Sequence, residues 1–131
     1  RQMCIRDSIN KLVELGERQF KLCMSMFEVT ECYKKLQAME TATPKQLLSM
    51  SASRFEINVA IRKAFIDVMA NLEKCCPALT NDDLFYCVLS LMHCSNIVIL
   101  ELMNVSSEAL KMRKSRIKGK LREDIFEYIF C

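Results

Sequence analysis

Glycine and proline are scarce in this sequence: two of each in 131 residues, with no tryptophan and a single histidine. A β-sandwich or barrel needs turn residues every ~8–12 positions, and this chain has almost none to offer. Gly16 and Gly119 stand too far apart to form a glycine-rich phosphate loop. His93 has no serine or Asp-His pattern near it, so no activated nucleophile is legible. It reads as a helix-ending residue. Asp82 and Asp83 read as helix-start charges and not as an acid/base pair. The chain reads as a non-enzyme, with no small-molecule substrate.

Long apolar runs are also missing. LFYCVLSLMHC and IVIL fall short of the ~18 residues of a spanning helix. No secretory leader pattern opens the chain. It begins with Arg instead of Met and reads as a piece of a longer protein. The first eight residues, RQMCIRDS, resemble a string that recurs as an artefact of translated sequence assemblies, and no functional signal rests on them.

The eight cysteines stand at 4, 23, 32, 75, 76, 87, 94 and 131, with no C-x-x-C pair. Cys23 and Cys87 occupy apolar-periodic positions, where cysteine behaves as a small hydrophobe. This suggests a reduced, cytoplasmic chain. A zinc set drawn from Cys87, His93, Cys94 and one of Cys75 or Cys76 matches no strong spacing, so no metal and no cofactor are expected.

What remains is helix-forming. Apolar content of 51% argues against disorder. Leu, Met, Lys, Glu and Ala are abundant, and together they predict an all-α fold. Ile9, Leu12, Phe20, Cys23 and Phe27 recur at helical spacing in a segment from about Ile9 to Met39, with Gly16 interrupting the stripe. This segment could end a coiled coil or pack on its own domain. At ETATPKQ, Thr43 can cap, Pro44 suits the first helical position and Gln46 completes a capping box. A second stripe holds Ile57, Ala60, Ile61, Ala64, Phe65, Val68 and Leu72. Pro77 then separates a helical, coiled-coil-like region, 1–78, from four short helices in 79–131. Thr80, Ser95 and Ser106 supply start signals there, and EDIFEYIF closes the chain.

The charge is not spread evenly. Residues 111–122, KMRKSRIKGKLR, hold seven basic residues and no acid. Without them the chain has 12 basic against 16 acidic residues, so the net +3 comes from this strip. A local cationic strip points to a polyanion, although a solvated basic face fits the charge pattern equally. On a helix from Ser107 to about Leu121, Leu110, Ile117 and Leu121 share an inward edge. Lys111, Met112, Ser115, Lys118, Gly119 and Arg122 face away from it, and Arg113, Lys114, Arg116 and Lys120 lie on the flanks. Such a helix suits the major groove of double-stranded DNA. Lys111 could donate to guanine, Met112 could touch a thymine methyl, and flanking cations could meet phosphates. Glu108 could accept from cytosine or simply favour the helix start.

Residues 79–121 resemble the LuxR-type helix-turn-helix. The resemblance starts at LTNDDLFYCVLSL and continues through SNIVILELMNVSSEALKMRKSRIKGKL. Asn104, Val105 and Ser106 match the turn entering the recognition helix. Leu110, Ile117, Lys120 and Leu121 match its apolar positions and closing Lys-Leu. Upstream, FEVTECYKKL and IRKAFIDVMANLEKCCPALT resemble the segment preceding this domain in Bacteroides-like tetratricopeptide-repeat or sensor regulators, which extends the resemblance to residues 17–130.

The resemblance implies a transcriptional regulator's DNA-binding output domain, with upstream sensor or repeat domains and a place at the cytoplasmic end of a membrane-anchored parent. It places base contacts at Lys111, Met112 and Ser115, and backbone contacts at Arg113, Lys114, Arg116, Lys118 and Lys120. Four features depart from the family. A Gly is usual near His93, a basic-acidic pair at Ile97 and Val98, and a small residue at Leu100. Arg113 replaces a common His and makes that charge permanent. The tail residues Ile125, Phe126, Ile129 and Phe130 could complete the core or serve as contacts in a homodimer, which would suit paired half-sites. The competing reading is a helical interaction or dimerisation module with a diverged helix-turn-helix.

Overall fold

The computed structural model describes the backbone of residues 5–131 and the side chains from Glu14 onward; the expected stripe positions Ile9 and Leu12, and Cys4, lie outside the described side chains. Among the described residues the chain forms nine helices and no strand. None of these helices is long and apolar enough to cross a membrane.

The first half is built around four aromatics, Phe20, Phe27, Tyr33 and Phe65. Helix α1 (Ile5–Phe27) and helix α2 (Glu31–Thr41) divide the segment expected as one, Ile9–Met39. Gly16 lies within α1 and does not end it. The break comes at Thr30, whose hydroxyl accepts from the Tyr33 N–H at 3.3 Å and donates to the Phe27 carbonyl at 2.7 Å. A threonine that caps the next helix while bonding the previous one stabilises a corner more than a continuous helix. The corner also brings Phe27 edge-on to Tyr33 and to Phe65, with ring centroids 5.9 Å apart in both pairs.

Helix α3 (Pro44–Leu48) carries the expected Thr43–Gln46 capping box, with Pro44 in its first turn. Helices α4 (Ser51–Ala64) and α5 (Ile66–Cys75) share the second stripe, but the backbone breaks at Phe65, where φ is −107° and ψ 22°. Phe65 is fully buried against Phe20 and Phe27, so packing holds the kink.

The second half comprises α6 (Asn81–Leu91), α7 (Asn96–Met103), α8 (Ser107–Lys120) and α9 (Glu123–Phe130). Thr80 and Asp83 form a reciprocal capping box on α6. Ser95 caps α7 and Ser106 caps α8 through their hydroxyls. Two corners use left-handed backbone: His93 at φ 62° between α6 and α7, and Asn104 at φ 54° between α7 and α8. His93 thus adopts the conformation that a glycine accepts most readily. Asn104 is among the few non-glycine residues that tolerate it.

The boundary drawn at 78/79 is a turn within one apolar cluster. Ile57, Ile61 and Phe65 belong to the same core as Phe85, Val88, Val98 and Ile117. Polar ties cross it as well. Asn58 donates to the Leu102 carbonyl at 2.9 Å, and Arg62 stacks over Phe85 at 4.1 Å while pairing with Asp82 at 3.1 Å.

Candidate nucleic-acid interface

Helix α8 turns one narrow edge inward. Leu110 and Ile117 are its only buried residues, and Leu121 continues the edge just past its end. Positions seven apart on a helix return to nearly the same side, so two residues suffice to define the inward line. The opposite side is open. Lys111, Met112 and Ser115, proposed from sequence for base contacts, are all exposed, and Met112 retains 64% of its surface. Glu108, Arg116, Lys118 and Gly119 are exposed beside them.

The seven cations of the strip are not equivalent. Arg113 donates to Asp83 Oδ1 at 2.8 Å, and Lys120 donates to Asp83 Oδ2 at 3.0 Å. Asp83 is only 3% exposed, the one buried charged residue among those described. Burial alone would raise its carboxyl pKa. Hydrogen bonds from the Thr80 backbone, Lys120 and Arg113 outweigh burial and hold it below the ordinary aspartate range. These two basic residues, expected at the DNA backbone, are therefore drawn inward to α6 in the free protein.

The other flank of α8 lies on α9. Lys114 sits over the Phe130 ring at 5.5 Å, and Lys118 over Phe126 at 5.8 Å. Both aliphatic stems can cover apolar surface while their ammonium groups reach water. Arg122 lies 3.7 Å from Asp124 at an exposed site. Lys111 and Arg116 have no ion pair among the described residues. The outward cations are thus Lys111, Lys114, Arg116, Lys118 and Arg122.

The tail packs largely on the core of its own chain, the first of the two roles open to it. Phe126 and Ile129 are buried within the chain, and Ile125 and Phe130 are half-buried against the same core. Phe130 packs edge-on to Tyr86 of α6 at 5.1 Å. In an eight-residue helix with four large apolar residues, one stripe satisfies the inner face, and α6 and α8 supply the partner surface.

Helix α7 carries the aliphatic residues Ile97, Val98 and Leu100. Val98 is fully buried, Leu100 is half-buried and Ile97 is 46% exposed. These aliphatics therefore divide between core and surface. Among the described residues, no group of three or more His, Cys, Asp or Glu side chains is placed to hold a metal. Burial pushes the Cys87 and Cys94 thiols up to about 12, so neither forms a thiolate near neutral pH.

Sequence reasoning recognised Asp83 as a helix-start charge but missed its two cation partners. The signal available was that Arg113 and Lys120 lie seven apart, next to the inward edge, where an unpaired cation would be costly. No family model, curated protein or solved structure matches this chain.

Proposed function

We propose that this chain is a DNA-binding output module, with α8 as the element that enters the major groove and α7 as the helix that supports it. The observation that carries the reading is the exposed row Lys111, Met112 and Ser115 on a regular helix whose opposite edge is buried. It is preceded by a short helix and a tight Asn104 corner, the arrangement a helix-turn-helix uses. An exposed methionine among cations gains little from water, but it matches a thymine methyl. Lys114, Arg116 and Lys118 flank the row, where phosphates would stand.

Binding to a pool of random duplexes, followed by anisotropy across a salt series, tests this directly. The expected outcome is affinity that falls linearly on a log-log plot, by about 0.9 per phosphate neutralised. Lys111→Ala or Met112→Ala changes which sequences are selected. Lys114→Ala or Lys118→Ala weakens every duplex alike. No binding to any duplex at low salt ends the reading.

A second reading, a protein-interaction module, is favoured by exposed apolar side chains away from α8. Phe55 is 75% exposed, and Val59, Ile66 and Ile97 are also open. It predicts association that salt does not weaken, because apolar burial is not screened.

A further inference from the structure

We propose that Asp83 is the positioning residue of the α8 face: it withholds Arg113 and Lys120 from a polyanion and so fixes which side of α8 that polyanion meets. This rests on the DNA-binding reading.

The geometry carries it. One buried carboxylate takes a cation on each oxygen, from α8 positions two turns apart. The same Oδ2 accepts the Thr80 N–H at 3.0 Å, and Thr80 Oγ1 accepts the Asp83 N–H at 3.1 Å, so the carboxylate is itself anchored at the start of α6. The Cys76 thiol donates to the Lys120 carbonyl at 3.1 Å and ties down the C-terminal end of α8. Helix α8 buries only two of its own side chains, which set its inward edge. The two pairs hold one flank of that edge against α6.

The second consequence is electrostatic. A cation already neutralised by a buried carboxylate gathers few counterions and releases few when a phosphate arrives. One carboxylate cancels one of the two positive charges, and the pairing holds both cations against α6, so five of the strip's seven cations lie outside the Asp83 pairs. Lys111, Lys114 and Lys118 lie on the side of α8 away from Asp83, Arg116 lies outward beside the paired flank, and Arg122 follows the helix.

The test compares salt series for the intact chain on two probes: a random-sequence 20-base-pair duplex and a duplex recovered by selection. Asp83→Asn keeps the shape and removes the charge. It is expected to steepen the log-log salt slope on random duplex by about 0.9–1.8, one to two phosphates, and to reduce preference for the selected duplex. A purely stabilising ion pair predicts a lower melting temperature with no steeper slope, and that result overturns the proposal. If Asp83→Asn fails to fold, Lys120→Gln and Lys118→Gln decide the question in the parent background. Lys118→Gln should lower the slope by about 0.9, and Lys120→Gln should leave it unchanged while selectivity falls. Equal slope losses overturn the proposal and leave the DNA-binding reading standing. A parent chain that binds neither duplex at low salt overturns both.

Discussion

Helices α7 and α8 are neighbours joined by one tight corner, yet they are held in opposite ways. Helix α7, NIVILELM, has no cation and one acid, and Val98, Ile99 and Leu102 are buried. Leu100 and Met103 pack partly against the same core. Helix α8 is nearly twice as long and buries two residues. Its remaining support is mostly polar: the Asp83 pairs, the Cys76 thiol on its last turn and the Ser106 cap, with Lys114 and Lys118 lying over rings of α9. A helix that must leave most of its surface free cannot be held by a broad apolar face. It needs a few specific fastenings, and ionic ones respond to pH and salt where apolar ones do not.

The sharpest way to break this contrast is at Ile117, which is fully buried. Ile117→Ala should cost about 2–5 kcal/mol in urea unfolding. With Leu110 alone left inside, amide exchange across 107–120 should accelerate more than across 96–103. Equal acceleration in both helices would show that α8 depends on the shared core as much as α7 does.

Acid is the next probe. The Asp83 pKa is lower in the folded state than in the unfolded chain. Its contribution is therefore fully present above the ordinary value of 3.8 and is lost as pH falls through the lower folded value. Asp83→Asn should cost about 2–3 kcal/mol at neutral pH, less than a fully enclosed pair because both partners are part-exposed. The gap between variant and parent should narrow as pH drops below 3.8, in chemical denaturation measured at each pH. A gap constant down to about pH 2 would mean that the pairs add nothing.

The smallest expected effect is a gain. Gly119 sits in the last turn of α8, and a β-carbon placed there meets nothing within 4 Å. Gly119→Ala should stabilise by about 0.5–1 kcal/mol, visible as a rise in melting temperature. No gain would indicate that α8 frays before it reaches Gly119.

The starts of the helices were the most legible part of this fold. Thr43, Thr80, Ser95 and Ser106 each accept from an N–H three residues on, a bond contained in a four-residue window. The exposure of Lys111, Met112 and Ser115 followed from helical geometry once Leu110 and Ile117 were assigned inward. The breaks at Thr30 and Phe65 were not legible, because Phe27, Phe20 and Phe65 choose those corners by meeting one another across 38 to 45 residues of chain. The tail residues Phe126 and Ile129 showed only that an apolar stripe existed, and an apolar stripe fits a core and a dimer contact equally.

The sequence by itself therefore determined an all-helical chain, where most of its helices begin, and which edge of the basic helix points inward. Those properties depend on periodicity and on hydrogen bonds spanning three or four residues. Only the tertiary structure decided that two of the seven strip cations are taken by Asp83, 30 and 37 residues away. Charge counts treat every lysine and arginine alike, and an ion pair depends on a distance that exists only once the chain has folded.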